Sequence, residues 1–166
     1  EAVELDELAD VIIIDTGAGI SDSVLKFVAN SPEVLLVTTP EPSSITDSYS
    51  LLKVLYQQPD FRPEQTKIQL VANKVLSVAD GDALYDKLQL VVSKFLGGKL
   101  DYLGIVPMDM TLERAVRKQK VVSLEAPTSN AARAYGILAD NLMHHEHKTK
   151  KKKKGISQFF SNLFSK

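Results

Sequence analysis

The sequence predicts an α/β fold, a parallel β-sheet with helices on both faces. Three observations predict it. Short apolar runs at Val11–Ile14, Val34–Val37, Ile68–Ala72 and Tyr102–Val106 alternate with longer segments of helical period, the order expected of βαβ units with right-handed crossovers. The first run is continuously apolar, which suits a strand covered on both sides. A chain of 166 residues, 44% of them hydrophobic, is long enough for one domain with its own core.

Val11-Ile12-Ile13-Ile14, rich in β-branched side chains, reads as a strand buried on both faces. Asp15-Thr16-Gly17-Ala18-Gly19 follows as a tight turn, and Ser21 or Asp22 can cap a short helix through Ala29. Val34–Thr38 is the second strand. Pro40 and Pro42 end it, and Ser43 or Ser44 opens a helix carrying Ile45, Tyr49, Leu52 and Tyr56 at helical spacing. After a loop at 59–63, Ile68–Ala72 forms a third strand that ends in Asn73-Lys74. A long helix from about Asp80 to Phe95 stops at Gly97-Gly98. Tyr102–Val106 is the fourth strand, closed by Pro107. Asp109 or Thr111 then caps a helix to about Lys118, residues 121–127 are irregular, and Thr128 or Ser129 opens a last body helix through about Met143. There is no internal repeat, and the low-complexity stretch is Lys150–Lys154.

The composition narrows the function classes. With no cysteine the chain can hold neither a disulfide nor a thiolate metal site, in keeping with a reducing compartment. His144, His145 and His147 lack the spacing of a metal-binding helix and read as a solvated face. No apolar run approaches the roughly 20 residues of a membrane-spanning helix, and no signal peptide precedes the first strand. The chain opens on Glu1 and reaches an apolar strand almost at once, which points to a piece of something longer. The net charge of −1 hides an asymmetry: residues 144–166 carry seven lysines against one acid, and the 143 residues before them 13 bases against 20 acids. Such a separation gives the tail an anionic partner of its own, membrane or nucleic acid.

In open α/β sheets ligands bind beyond the carboxyl ends of the strands. The turns Asp15–Gly19, Thr38–Pro42, Asn73-Lys74 and Pro107–Asp109 are therefore expected to converge along one rim. Asp15, after an apolar strand, can hold Mg²⁺ through water or orient an attacking water. Gly17 and Gly19 let backbone amides approach a phosphate and let the turn change shape when it leaves. A plain strand-to-helix turn accounts for these residues equally well. Asn73 can pair its amide with the donor and acceptor edge of adenine, and Pro107 can pack on a base. Taken singly, both are also ordinary turn and stop residues.

These segments together resemble the MinD/ParA family of deviant Walker A ATPases. Asp10-Val-Ile-Ile-Ile-Asp-Thr-Gly-Ala-Gly-Ile20 resembles its switch II segment. Gly17, where Pro is commoner, and Val37-Thr-Thr-Pro-Glu-Pro-Ser-Ser-Ile-Thr-Asp-Ser-Tyr49 are most similar to the flagellar-number regulators FlhG, FleN and YlxH. Val71-Ala-Asn-Lys74 resembles the adenine-contacting turn, and Leu103-Gly-Ile-Val-Pro-Met-Asp109 with the helix after it resembles the last strand and purine-facing loop. The likeness runs over about residues 8–145. It implies a P-loop NTPase-like parallel sheet whose N-terminal part is missing. Asp15 would serve the catalytic and magnesium site, Gly17 and Gly19 switch II, and Asn73, Pro107 and Asp109 the purine pocket. Asp47 would lie near a nucleotide-dependent dimer face.

The departure from the family is its opening loop, K-G-G-x-G-K-[ST], whose amides cradle phosphate and whose hydroxyl binds Mg²⁺. No segment matches it; Gly97-Gly98-Lys99-Leu100 lacks the second Gly-Lys-[Ser/Thr] and sits at a helix end. ATP and Mg²⁺ are thus expected in a full-length parent, while this chain alone is expected to bind ATP weakly and not to hydrolyse it. The resemblance implies a parent that forms an ATP-dependent homodimer and partners an FlhF-type GTPase and flagellar C-ring components. A catalytically inactive docking module and a MinD-type division-site ATPase are the other readings; the Gly17 form and residues 38–49 argue against the second.

The organisation expected is a body at 1–145, a basic linker at 146–155 and an amphipathic helix at 156–166. Lys150, Lys151, Lys152, Lys153 and Lys154 precede Ile156, Phe159, Phe160, Leu163 and Phe164, which fall at i, i+3, i+4, i+7 and i+8, one apolar stripe. Phenylalanines on a short terminal helix behind a lysine run read as an interfacial membrane anchor. A nucleic-acid tail needs no such stripe, so no nucleic-acid partner is expected; a helix docked on its own core is the competing reading. The location implied is cytoplasmic, peripheral at the inner face of the plasma membrane.

Overall fold

A computed structural model of the protein describes residues 9–17 and 19–148. Three strands, β1 (Glu33–Thr38), β2 (Lys67–Val75) and β3 (Asp101–Pro107), form a parallel sheet in the order β1-β2-β3. The helices are α1 (Asp22–Asn30), α2 (Pro42–Tyr56), α3 (Val78–Leu96), α4 (Met110–Arg117), α5 (Val122–Glu125) and α6 (Asn130–Lys148).

Local chemistry sets most boundaries. Ser21 caps α1 by accepting from the Val24 amide, and Ser77 caps α3 by accepting from Asp80. Pro42 occupies the first turn of α2, where its missing N–H costs nothing, so that helix begins ahead of the expected Ser43 or Ser44. Gly97, at φ 64, ends α3 in the left-handed conformation open to glycine. The Ser129 hydroxyl accepts from the Ala132 amide at the start of α6.

One core lies on the face covered by α1, α2 and α3: Val24 and Val28, Leu52 and Leu55, and Leu84, Leu88 and Val92 meet Leu36, Ile68, Leu70 and Ala72 of the sheet. On the opposite face α6 supplies Ala131, Leu138 and Leu142 against Val71, Leu103 and Val106. β2 runs past Ala72 to Val75, farther than expected, through a register shift between Asn73 and Val75. Lys74, at φ 54, is the extra residue, and the shift returns Val75 to the face of Ile68, Leu70 and Ala72. The stretch at 121–127, expected to be irregular, holds the short helix α5.

The largest correction concerns Val11–Ile14, which forms no strand. Its four side chains are between 40% and 76% exposed. A doubly covered parallel strand is held by a ladder along its edges and by cover on its faces. The described sheet supplies neither to residues 11–14, so sequence pattern alone does not make the strand. Among the described residues β1 is accordingly an edge strand, with Leu35 and Val37 exposed on the face that α6 leaves open.

Candidate nucleotide site

The parallel register brings the ends of β1, β2 and β3 to one rim. Thr38 lies opposite Ala72, Asn73 opposite Val106, and Val75 opposite Pro107. The Lys74 bulge is tied down by its own amide, which donates to Asn73 Oδ1 at 3.0 Å, and by the Met108 amide donating to the Val75 carbonyl at 2.9 Å. Asn73 therefore has a fixed side chain whose Nδ2 donors are uncommitted among the described residues, next to the β3 end that carries Pro107.

Asp109 follows, and its carboxylate is occupied. Oδ1 accepts from the Thr111 amide at 2.7 Å and Oδ2 from the Ala131 amide at 3.0 Å, so one side chain joins the N-termini of α4 and α6. Those two amides, Ala131 foremost, hold its carboxyl below the usual carboxylate range. Such a group locks the loop after β3 in place more readily than it contacts a ligand.

The β1–α2 turn holds polar groups that sequence reasoning passed over. Thr38 Oγ1 lies 2.9 Å from Ser44 Oγ, the Thr39 amide donates to Ser44 Oγ at 3.0 Å, and the buried Thr39 hydroxyl has no hydrogen-bond partner among the described residues. The Thr-Thr and Ser-Ser pairs flanking Pro40 and Pro42 were the available signal. Also unremarked were Leu76 and Val78, exposed apolar residues just beyond the end of β2, which Met108 matches beyond the end of β3.

Other expected site residues stand apart. Asp15 and Gly17 lie in an exposed irregular segment before α1, with open space around Gly17 and Gly19 and a φ of 110 at Gly19. Asp47 is exposed on α2. No cluster of three metal-ligating side chains occurs among the described residues, and no described helix is long and apolar enough to cross a membrane. The residues expected at the membrane, 150–154, 156, 159, 160, 163 and 164, lie outside the described part of the chain. A cavity of about 420 Å³ opens at the other end of the sheet, beside Lys67, Gly98 and Asp101.

No family model matches the chain. Over 139 residues it is 38% identical to the antiactivator FleN of Pseudomonas aeruginosa, an alignment covering 84% of this chain and 48% of that protein. Over 157 residues it is 32% identical to the flagellum site-determining protein YlxH of Helicobacter pylori, covering 93% and 51%. The chain belongs to the MinD/ParA family of ATPases, close to FleN and YlxH. It spans about half the length of the curated relatives it matches. The septum site-determining protein MinD of Bacillus subtilis is more distant, at 25% over 140 residues. Two solved structures share the fold: the MinC:MinD cell division protein complex of Aquifex aeolicus, with a TM-score of 0.59 over 92% of this chain and 58% of that one, and a ParA family ATPase of Chlorobium tepidum, with 0.57 over 83% and 52%. Their identities of 21% and 20% carry the fold and nothing finer.

Proposed function

We propose that this chain is the C-terminal part of a membrane-associating MinD-like ATPase that regulates flagellar number or placement. The observation that carries the reading is the β2–β3 register, which sets Asn73 beside the strand end bearing Pro107, in a chain similar to FleN and YlxH. The residues present fit one part of the nucleotide. Asn73 offers amide donors to a purine edge, Pro107 a flat face, and Met108 exposed apolar cover. On this reading the segment ahead of α1 that carries Asp15 and Gly17 would reach the same rim in the parent.

The triphosphate and Mg²⁺ are not fitted. No loop of the form K-G-G-x-G-K-[ST] occurs in the sequence, and no carboxylate cluster stands near Asp15 among the described residues. No hydrolytic step is assigned to this chain, and ATP with Mg²⁺ belongs to the longer parent. There, Asp15, Gly17 and Gly19 would respond to the γ-phosphate and Asp47 would face the second copy. An FlhF-type GTPase and C-ring components are the protein partners of the parent on this reading.

The tail supplies the membrane contact. Five apolar side chains give roughly 1 kcal/mol or more each when partly buried, and the lysines at most about 1 each near an anionic leaflet. Ordering a segment too short to be helical in water opposes both, so one tail binds reversibly and two on a dimer bind far more tightly. Titrating the purified chain with a fluorescent ATP analogue tests the nucleotide half. Dissociation constants in the millimolar range and no phosphate release are expected; micromolar binding with turnover would refute the assignment.

A further inference from the structure

The charge of the body is unevenly spread. Residues 110–133 hold five bases and two acids, while the rest of residues 1–143 hold eight bases and eighteen acids. Four of those bases, Arg114, Arg117, Lys118 and Lys120, are exposed where α4 turns into α5, and their side chains make no ion pair or hydrogen bond among the described residues. The turn is a firm piece of backbone. Gln119 sits at φ 53, and the Lys120 amide donates to the Ala115 carbonyl at 2.9 Å, closing the end of α4. Val116, Val121 and Leu124 stand out from this turn at 63%, 60% and 82% exposure. Unpaired cations around outward aliphatic side chains are what an interfacial contact presents to lipid: charge for the headgroups, hydrocarbon for the layer beneath.

We propose that this α4–α5 surface is a second contact with an anionic lipid bilayer, one that orients the body once the tail has attached. It rests on the tail reading for its strength, because four cations and three aliphatic side chains do not offset the loss of freedom on association by themselves. The geometry permits both contacts together. α6 is 19 residues long, roughly 28 Å at 1.5 Å per residue; α5 joins its N-terminal end and the tail leaves the other. The seven residues 149–155 reach about 23–25 Å when extended, so both contacts meet one plane with α6 lying along it. An anionic leaflet repels the acidic remainder of the body within a Debye length of roughly 8–10 Å, which leaves this surface as the side turned toward the lipid. Lipid is favoured over nucleic acid because the exposed side chains are aliphatic, with no ring on which a base could stack.

The absence of cysteine makes the test direct. Three single-cysteine variants, Leu124→Cys, Ser161→Cys in the tail and Asp82→Cys on α3, each carry an environment-sensitive fluorophore. They are mixed with vesicles of phosphatidylcholine and phosphatidylglycerol containing a headgroup-level quencher. Quenching at Leu124 and Ser161 but not at Asp82 is expected. Quenching at Ser161 alone overturns this proposal and leaves the tail anchor standing; quenching at Leu124 alone refutes the anchor and overturns a second contact that depends on it. Equal quenching at all three, or at none, overturns the proposal. In the same vesicles Lys118→Gln with Lys120→Gln weakens binding about tenfold, whereas Lys53→Gln with Lys87→Gln on the acidic side does not. Equal losses from the two pairs, or tighter binding to a single-stranded oligonucleotide than to vesicles, also overturn the assignment.

Discussion

Asp109 shows how one side chain does work the local sequence does not reveal. Read along the chain it is a helix cap or a ligand; in space it bridges Thr111 and Ala131 and fixes the direction in which α4 and α6 leave the rim. Its partners are backbone amides at helix N-termini, where a negative charge is favoured. Because its folded pKa is depressed, its contribution is present above the unfolded carboxylate value of about 3.9 and is lost as pH falls through the folded value. Asp109→Asn keeps a capping oxygen and loses the charge. Chemical denaturation should find it less stable than the parent at pH 6, with the gap closing as pH drops below about 4. A gap that stays constant down to pH 3 would show that the charge contributes nothing.

At the scale of elements, the packing of α3 on the sheet turns on Gly81. A Cβ there would meet Ile105 Cγ2 at 2.5 Å and the Tyr102 hydroxyl at 2.6 Å. Gly81→Ala should therefore cost about 1–3 kcal/mol through overpacking, despite alanine's better helix propensity. Burial first, and then the charge of Asp82, push the Tyr102 phenol up to about 12, yet among the described residues its oxygen has no hydrogen-bond partner in good geometry. Tyr102→Phe removes an unsatisfied hydroxyl and opens space beside Gly81. Alone it should be neutral or stabilising by up to about 1 kcal/mol, and it should recover part of the Gly81→Ala loss in a double-mutant cycle. Since the raised pKa favours the neutral phenol, its stabilising share is complete below about pH 10 and falls away as pH rises toward 12. Tyr102→Phe should be the more resistant form in that window, and identical alkaline unfolding curves would refute this account.

The same scale explains what was legible in the sequence. Caps and stops of local chemistry, such as Ser21, Gly97 and Asp109, set boundaries close to where pattern placed them. The meeting of Asn73 with the β3 end followed from the parallel topology that the apolar runs implied. The Lys74 bulge was hidden because it depends on register with β3, and the short helix α5 was hidden because four residues carry no period. Thr39 and Ser44 needed a turn geometry that composition does not encode. Val11–Ile14 has the right pattern for a strand, but forming one needs neighbours that a pattern cannot supply.

At the scale of the whole molecule, the described sheet ends in two edge strands, β3 with both faces covered and β1 with one face open. β3 and most of β2 are covered on both faces, whereas β1 ends the sheet with Leu35 and Val37 exposed, and Val11–Ile14 adds four more apolar side chains in the open. An exposed apolar edge strand invites pairing with another chain, so this chain should self-associate at micromolar concentration unless the edge is occupied. Val37→Lys puts a charge where the side chain is 56% exposed. If β1 is open in solution, the substitution should change stability by no more than about 0.5 kcal/mol and slow aggregation, read by light scattering and by dye binding to exposed apolar surface. If another element covers β1 in solution, lysine buries an unpaired charge and the loss exceeds about 2 kcal/mol. That outcome would reassign Val37 to a packed interface. It would also mean that the open flank of the sheet is closed by self-association or by part of the chain outside the described residues.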